Sequence, residues 1–321
     1  SNPCFTGDSL VHTDKGLIRF DELFARANVG EEFRVWTHDV TSPVDPRDEM
    51  VLTTPEAFMI TGKNPVQRLR FSNGVELRCT PSHRIFTLNR GYVEAGELTA
   101  DDRVRSLDLT APSVGADWGL PIRSDWQHYR EKGDRDLPLM LPDVWTDTFA
   151  HYVGWLVGDG STSGTSTVTI YGSADDRTEI LPAHQELLED MNAGRPIKLS
   201  EQVNGTVQLR LTRRPLKRFL EALGVASVTG EYKTVPWTIE QAPAEIVASF
   251  LRGLFDADGC AVHNPEKGSY VGLGSISVDL LRGVQRLLST FGISSRMYNV
   301  RRPGASHFSY ERKDGTVVEY E

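Results

Sequence analysis

Two aspartates occupy the same position in two nine-residue segments of similar sequence. The first segment spans residues 152–160 and contains Asp159, and the second spans residues 251–259 and contains Asp258, 99 positions later. Repetition of this kind predicts two structurally similar lobes. One Asp-Gly pair alone could simply end a helix in a turn, but two copies in the same register indicate a shared role.

Each copy also has small residues four positions apart. These are Gly154 with Gly158 in the first copy and Gly253 with Ala257 in the second. That spacing places the small residues on one helix face, where two helices can pack with their backbones close together. Close packing would bring both helix C-termini together, each with an aspartate that needs a compensating cation. Paired carboxylates of this kind suit Mg²⁺, which prefers oxygen ligands and also binds phosphate oxygens.

The second copy resembles the nine-residue signature of the LAGLIDADG homing endonucleases, and the first is a recognisable variant of it. The resemblance implies a two-lobed pseudo-dimer that cuts both strands of DNA, with Asp159 and Asp258 as catalytic ligands of Mg²⁺. Asp256 falls at a non-catalytic position of the signature. Residues 231–236 resemble the lysine-containing segment of the family, which implies that Lys233 lies near the scissile phosphate. The alternative for Lys233 is an exposed, solvated lysine.

A second set of reactive residues lies near the N-terminus. A cysteine sulfur can attack the carbonyl of the preceding residue, a histidine can protonate the departing nitrogen, and a threonine hydroxyl can polarise the carbonyl. Residues 4–11 resemble the opening of inteins and hedgehog-type domains, and residues 80–86 resemble their T-x-x-H signature. The resemblance implies that Cys4, Thr80 and His83 are catalytic. Taken singly, Cys4 would be an inert small hydrophobe and His83 a structural histidine.

The elements that must position these residues differ along the chain. Residues 1–110 read as short β-segments broken by turns, with a strong hairpin signal at Asn73-Gly74. The resemblance implies that they form a mostly-β hedgehog/intein horseshoe, the N-terminal splicing domain. Residues 111–145 lack periodicity and are predicted to be a connector. Residues 146–321 are predicted to be an α+β two-lobed LAGLIDADG endonuclease domain, with helices at 148–157, 181–191, 214–223, 244–255 and 278–291.

The net charge of −9 conceals an uneven distribution. Basic residues predominate in residues 195–233 and 281–302, so the second half can present a basic surface. The alternative is an ordinary solvated face. With the family resemblance, this pattern predicts a double-stranded DNA partner, contacted by Arg210, Arg213, Arg214, Arg296, Arg301 and Arg302.

Composition excludes several classes of protein. The hydrophobic share of 39% and charged share of 25% are those of a globular protein, and no apolar run approaches the roughly 18 residues that span a bilayer. We therefore expect a cytoplasmic protein without a membrane partner. Cys4, Cys79 and Cys260 are odd in number and far apart, which argues against a disulfide framework or a structural zinc site.

The termini carry their own expectations. Ser1 to Pro3 are interpreted as a remnant of an upstream flank, and Asn2-Pro3-Cys4 resembles an insertion point in ribonucleotide reductase. The chain ends without the His-Asn pair of complete inteins, so the C-terminal splicing segment is expected either to be a separate chain, as in split inteins, or to have been removed from this one. The alternative function is an autoprocessing domain with a degenerate, non-cleaving DNA-binding module.

Overall fold

The computed structural model describes residues 4–38, 50–105, 118–122, 137–265, 268–298, 308–311 and 317–320. Arg301 and Arg302, two of the predicted DNA contacts, lie outside these ranges, as does most of the predicted connector. Within the described ranges, every helix is too short or too polar to cross a bilayer.

The N-terminal part consists mainly of short antiparallel strands, as its sequence predicts. The described strands are β1 (Leu10–Thr13), β2 (Gly16–Arg19), β3 (Val35–His38), β4 (Met50–Thr53), β5 (Gln67–Arg70), β6 (Glu76–Cys79), β7 (Arg84–Thr87) and β8 (Gly91–Glu94). The first four form a sheet in the order β2-β1-β3-β4, and the others form the hairpins β5–β6 and β7–β8. The predicted Asn73-Gly74 turn joins β5 to β6, with Gly74 at a φ of 96°.

One helix in this part was missed in the sequence pattern. Helix α1 (Phe20–Asn28) begins with Phe20, in a part of the chain that the sequence predicts to form short β-segments. Asp21 in its first turn and Arg26 in its last complement the helix dipole, and Leu23 is fully buried. The spacing of Leu23 from Phe20 is helical, but the strand signal before it is stronger in the sequence.

The second part mixes helices and strands. Its helices are α2 (Asp147–Asp159), α3 (Leu181–Met191), α4 (Arg214–Ala222), α5 (Trp237–Glu240), α6 (Ala244–Asp258) and α7 (Val278–Thr290). Its strands are β9 (Gly160–Ser161), β10 (Ser166–Tyr171), β11 (Ser200–Glu201), β12 (Val207–Thr212), β13 (Gly259–Asn264), β14 (Gly268–Leu273), β15 (Phe308–Glu311) and β16 (Val317–Tyr320).

The order of these elements repeats. A helix, two strands, a helix and two strands run from α2 to β12, and the same order runs from α6 to β16. In the first copy the strands form one sheet in the order β11-β12-β10-β9, and in the second they form the hairpins β13–β14 and β15–β16. The repeated order agrees with the two lobes predicted from the repeated segment.

The end of the predicted connector packs into the second part. Leu139, Leu141 and Trp145 belong to the same buried cluster as α2 and α6. Arg213, predicted to contact DNA, is itself buried and fastens this segment: its guanidinium donates to Asn192 Oδ1 at 2.8 Å and to the Leu137 carbonyl at 2.5 Å. The prediction for Arg213 was therefore wrong, because a charged residue beside a strand was assumed to be exposed.

The two parts of the chain contact each other through side chains of α1 and α7 and through the β5–β6 hairpin. The contacts include Gln285 Nε2 donating to the Asn73 carbonyl at 3.0 Å, the ion pair of Arg282 with Glu76 at 3.0 Å and Arg26 donating to Gln241 at 3.2 Å. The β5–β6 hairpin therefore reaches α7 with its turn.

Candidate functional site

The centre of the second part is the close pairing of α2 and α6. A Cβ added at Gly154 would lie 2.1 Å from the Phe250 carbonyl oxygen, and one at Gly253 would lie 2.0 Å from the His151 carbonyl oxygen. Such distances are far inside van der Waals contact, so only glycine permits this approach. The small-residue faces predicted from the sequence are therefore the faces that pack.

This pairing brings the C-termini of both helices together. A Cβ added at Gly158 would lie 2.7 Å from the Ala257 Cβ and 3.3 Å from Asp258 Oδ2. The pKa of Asp159 is raised to about 6, first by burial and then by the Asp258 carboxylate. Burial also raises the pKa of Asp258. The two carboxylates thus interact electrostatically, as their shared register predicts.

Lys233 provides a positive charge beside them. Its ammonium group donates to the carbonyl oxygens of Val157 at 2.7 Å, Gly158 at 2.8 Å and Gly160 at 3.2 Å. These carbonyls form the negative end of α2, so Lys233 compensates the helix dipole as well as the carboxylates. Burial lowers the pKa of Lys233, and the Asp258 and Asp159 carboxylates oppose that shift. Lys233 is therefore not the freely solvated lysine of the alternative interpretation.

The carboxylate pair fits a divalent cation of the magnesium type. Burial, and after it the neighbouring Asp258 carboxylate, raises the pKa of Asp159, and a bound cation would offset both effects by stabilising the ionised form. Among the described residues no cluster of three or more His, Cys, Asp or Glu side chains is present to form a closed metal cage. A site with two carboxylates leaves room for the waters that Mg²⁺ retains.

The raised pKa of Asp159 predicts a pH-dependent effect on stability. Because the folded state binds this proton more tightly than the unfolded chain, ionised Asp159 destabilises the metal-free protein above pH 6, and the cost disappears as pH falls toward 4. In EDTA at pH 8, Asp159→Asn should therefore raise the free energy of unfolding by on the order of 1 kcal/mol, after discounting for partial exposure. Thermal unfolding at pH 8 and pH 4 checks this, and an equal difference at both values would contradict it.

A hydrogen-bonded network that is buried at its histidines and exposed at Asp256 links the two helices on another side. The carboxylate of Asp256 lies 3.0 Å from His151 Nε2, His151 Nδ1 lies 2.9 Å from His184 Nε2, and His184 Nδ1 lies 2.9 Å from the Tyr171 hydroxyl. The pKa of His184 is lowered to about 3 by burial and by His151, so its ring is neutral. Asp256 therefore joins α6 to α2, a role that its sequence position gave no means of finding.

The N-terminal cysteine is held by the residue that follows β6. The Cys4 N–H donates to the Thr80 hydroxyl at 3.0 Å, and the Thr80 N–H donates to the Cys4 carbonyl at 2.9 Å. Thr80 is 1% exposed. The predicted pair therefore lies together although 76 positions separate its members. The threonine hydroxyl contacts the amide nitrogen of Cys4, whereas the Pro3 carbonyl lies outside the described residues.

His83 lies one turn further along the chain. Its ring packs on Phe5 with centroids 4.0 Å apart, and burial lowers its pKa. Its Nδ1 is buried and has no hydrogen-bond partner among the described residues. A buried nitrogen that has no partner among the described residues, on a ring packed against Phe5, can accept a hydrogen bond from or donate one to an approaching group.

Two further features of the site bear on the sequence predictions. Thr61 has its hydroxyl 2.9 Å from the Cys4 sulfur, and a lone threonine in an unpatterned segment gave no signal of this.

The described candidates for DNA contact divide by exposure. Arg210 and Arg296 are exposed, Arg214 is half-buried, and Arg296 Nε also donates to the Ser72 carbonyl at 3.3 Å.

Comparison with known families identifies part of the second half. The family model described as LAGLIDADG-like domain matches residues 245–317. The match begins at the start of α6 and includes Asp258.

Curated relatives match most of this chain but only part of themselves. The tRNA-splicing ligase RtcB of Pyrococcus abyssi is 30% identical over 75% of this chain and 29% of its own length. The replicative DNA helicase DnaB of Rhodothermus marinus is 27% identical over 97% of this chain and 30% of its own length. The ribonucleoside-diphosphate reductase NrdEB subunit alpha of Bacillus subtilis is 25% identical over 93% of this chain and 26% of its own length. The chain thus spans less than a third of these relatives.

Two kinds of solved structure are also similar. A DnaB intein from Synechocystis matches with a TM-score of 0.28 and 19% identity, over 32% of this chain and 67% of that one. The endonuclease I-DmoI, crystallised with DNA and Mn, matches with a TM-score of 0.32 and 17% identity, over 54% of this chain and 88% of that one.

Proposed function

We propose, from the LAGLIDADG-like domain that residues 245–317 match, that this chain is a protein-splicing element carrying a site-specific DNA endonuclease. The distribution of its relatives carries the proposal. One segment is shared with a tRNA-splicing ligase, a replicative helicase and a ribonucleotide reductase subunit, yet it covers at most 30% of each. Proteins with such different activities have no common reaction that would need this segment. An insertion with its own function explains the pattern.

The endonuclease activity is assigned to the ends of α2 and α6. Asp159 and Asp258 are proposed to hold Mg²⁺, which when bound supplies Lewis-acid activation of a phosphate and its attacking water. The paired helices hold both carboxylates at one point, and their repulsion gives the site affinity for a divalent cation. Lys233 is proposed to place its charge beside the scissile phosphate. The Ser277 hydroxyl supports this position, because it donates to the Lys233 carbonyl at 2.6 Å while capping α7.

Arg210 is the best-placed described arginine for a DNA backbone contact. It is exposed on β12 between Leu209 and Leu211, which are buried, so its side chain lies on the outer face of the sheet. An exposed cation on a strand face can neutralise a phosphate and release a counterion.

Replacement of this arginine yields a prediction about salt dependence. Arg210→Ala should weaken binding of the target duplex and reduce the slope of log K against log salt by about 1. Arg213→Ala is the matched control, because it removes buried hydrogen bonds and should lower the free energy of unfolding by about 2 kcal/mol while leaving the slope unchanged. Fluorescence anisotropy of the labelled duplex, from 50 to 200 mM salt, measures the slope for both variants at a temperature where both are folded. A slope reduced equally by both variants would contradict the assignment.

The splicing activity is assigned to Cys4, Thr80 and His83. The Cys4 sulfur would attack the Pro3 carbonyl and convert the peptide bond into a thioester. The Thr80 hydroxyl already accepts a hydrogen bond from the nitrogen that must depart, and so holds the scissile peptide in place. His83, whose buried Nδ1 has no partner among the described residues, is proposed to protonate that nitrogen.

The test of this step uses a reporter protein fused ahead of Ser1. Dithiothreitol should release the reporter from the wild-type chain, and Cys4→Ala should abolish release because no thioester can form. Cys260→Ala is the control, since this cysteine is exposed and lies after Asp258. Release of the reporter by Cys4→Ala at the wild-type rate would exclude the assignment.

The same system separates the alternatives. Binding of DNA without cleavage would indicate a degenerate DNA-binding module. Release of the upstream flank without ligation, after a C-terminal splicing segment has been supplied, would indicate an autoprocessing domain. Ligation of the flanks would support protein splicing with a C-terminal fragment as partner.

A further inference from the structure

Thr61 contacts the nucleophile from a segment that has no assigned role. It lies between β4 and β5, and its hydroxyl oxygen is 2.9 Å from the Cys4 sulfur. This contact joins residues 57 positions apart. It adds a contact at the side chain to the two hydrogen bonds between Cys4 and Thr80, which involve the cysteine backbone.

The conformation of the segment directs Thr61 toward Cys4. Phe58 packs against the buried Phe33 with ring centroids 6.3 Å apart, which anchors the start of the segment. Met59 and Ile60 are 75% and 71% exposed, so they provide little anchoring. Gly62 follows with a φ of 117°, and no atom of the described residues lies within 4 Å of a Cβ placed there. Glycine at this position is therefore explained by the backbone turn and not by lack of space.

Conversion of the Pro3–Cys4 peptide bond into a thioester requires the Cys4 side chain to point toward the Pro3 carbonyl. The sulfur forms a bond to the Pro3 carbonyl carbon, the bond from that carbon to the Cys4 nitrogen breaks, and the thiol proton is transferred to that nitrogen. No other reagent is consumed. A cysteine side chain can rotate among three staggered positions, and only a rotamer that faces the carbonyl is productive. A hydroxyl that is hydrogen-bonded to the sulfur favours one of these rotamers and does not need to remove the thiol proton.

We propose that Thr61 is a positioning residue for the first step, holding the Cys4 side chain in the rotamer from which it attacks. This inference rests on the proposed splicing function. The Thr61 hydroxyl orients the Cys4 sulfur, and other groups transfer the proton.

Conservative variants of Thr61 test the inference in the reporter fusion. Thr61→Val keeps the shape but removes the hydroxyl, and should slow reporter release at saturating dithiothreitol about tenfold, with an unchanged thermal midpoint. Thr61→Ser restores the hydroxyl and should stay within about twofold of wild type. Gly62→Ala should slow release like Thr61→Val, because its strained φ displaces the threonine. Thr54→Val, an exposed threonine of the same segment, is the control.

The outcomes separate this inference from the function on which it rests. Release by Thr61→Val at the wild-type rate, or equal slowing by Thr61→Ser and Thr61→Val, would overturn the positioning role while the splicing assignment stands. Absence of release from the wild-type fusion would overturn the proposed function, and this inference with it.

Discussion

Replacing Asp258 with asparagine is expected to slow DNA cleavage about a thousandfold while duplex binding is retained. The side chain keeps its size, so the α2–α6 pairing should persist. Affinity for the metal and its activation of phosphate are lost, because a neutral amide replaces one of two charged ligands. Binding should stay equal or become slightly tighter, since a negative charge near the DNA phosphates is removed. Asp159→Asn should behave in the same way.

The control for this experiment is an acid on the same helix. Glu245 is exposed in the first turn of α6, at the end opposite Asp258. Glu245→Gln removes the same charge and should cleave at the wild-type rate. Gel assays of cleavage and filter binding with Mg²⁺, repeated in EDTA, separate catalysis from affinity. Loss of cleavage in Glu245→Gln and Asp258→Asn to the same extent would show that net charge and not the site is responsible.

Replacing Gly253 with alanine is expected to destabilise the second part of the chain by about 3 kcal/mol. An ordinary helical glycine gives the opposite sign, since alanine is favoured there by about 1 kcal/mol. The difference arises because the new methyl group would lie 2.0 Å from the His151 carbonyl oxygen, and a backbone atom cannot rotate away. The helices must separate, which opens the core around them.

Gly154→Ala should have a similar effect from the other helix, and Gly274→Ala is the control. In the part of the chain that the structure describes, no atom lies within 4 Å of a Cβ at Gly274, so that variant should unfold at the wild-type midpoint. Urea unfolding followed by circular dichroism measures all three. Stabilisation by Gly253→Ala would mean that the helices are further apart than the structure shows.

The paired helices could be predicted because their signal is local and repeated. Gly154 and Gly253 occupy equal registers of two similar segments, so one packing geometry satisfies both. The need for a cation near Asp159 and Asp258 also follows from their place at helix ends. The sequence named Lys233 only through its resemblance to a family, and the structure adds its three carbonyl contacts at the end of α2. The catalytic roles of these residues stay predictions.

The features that were missed depend on contacts between distant residues. Arg213 is buried because Asn192 and the connector carbonyls surround it, and local charge patterns cannot show such a partner. Thr61 contacts Cys4 across 57 positions of sequence, and no local pattern reveals such a contact. Helix α1 was missed for a different reason, since its first residue continues an apolar strand pattern. Hydrogen bonds between residues far apart in the sequence are therefore the part of the site that could not be predicted from the sequence.

The paired carboxylates are proposed to form a DNA-cleaving site directed at the place where this segment is inserted. The most direct measurement compares two duplexes: one joins the coding segments that flank this chain in its parent gene, and the other retains the insertion. With Mg²⁺, the wild-type protein should cut both strands of the joined duplex and leave the interrupted one intact. Binding of the joined duplex without cleavage, or equal cutting of both duplexes, would contradict the account.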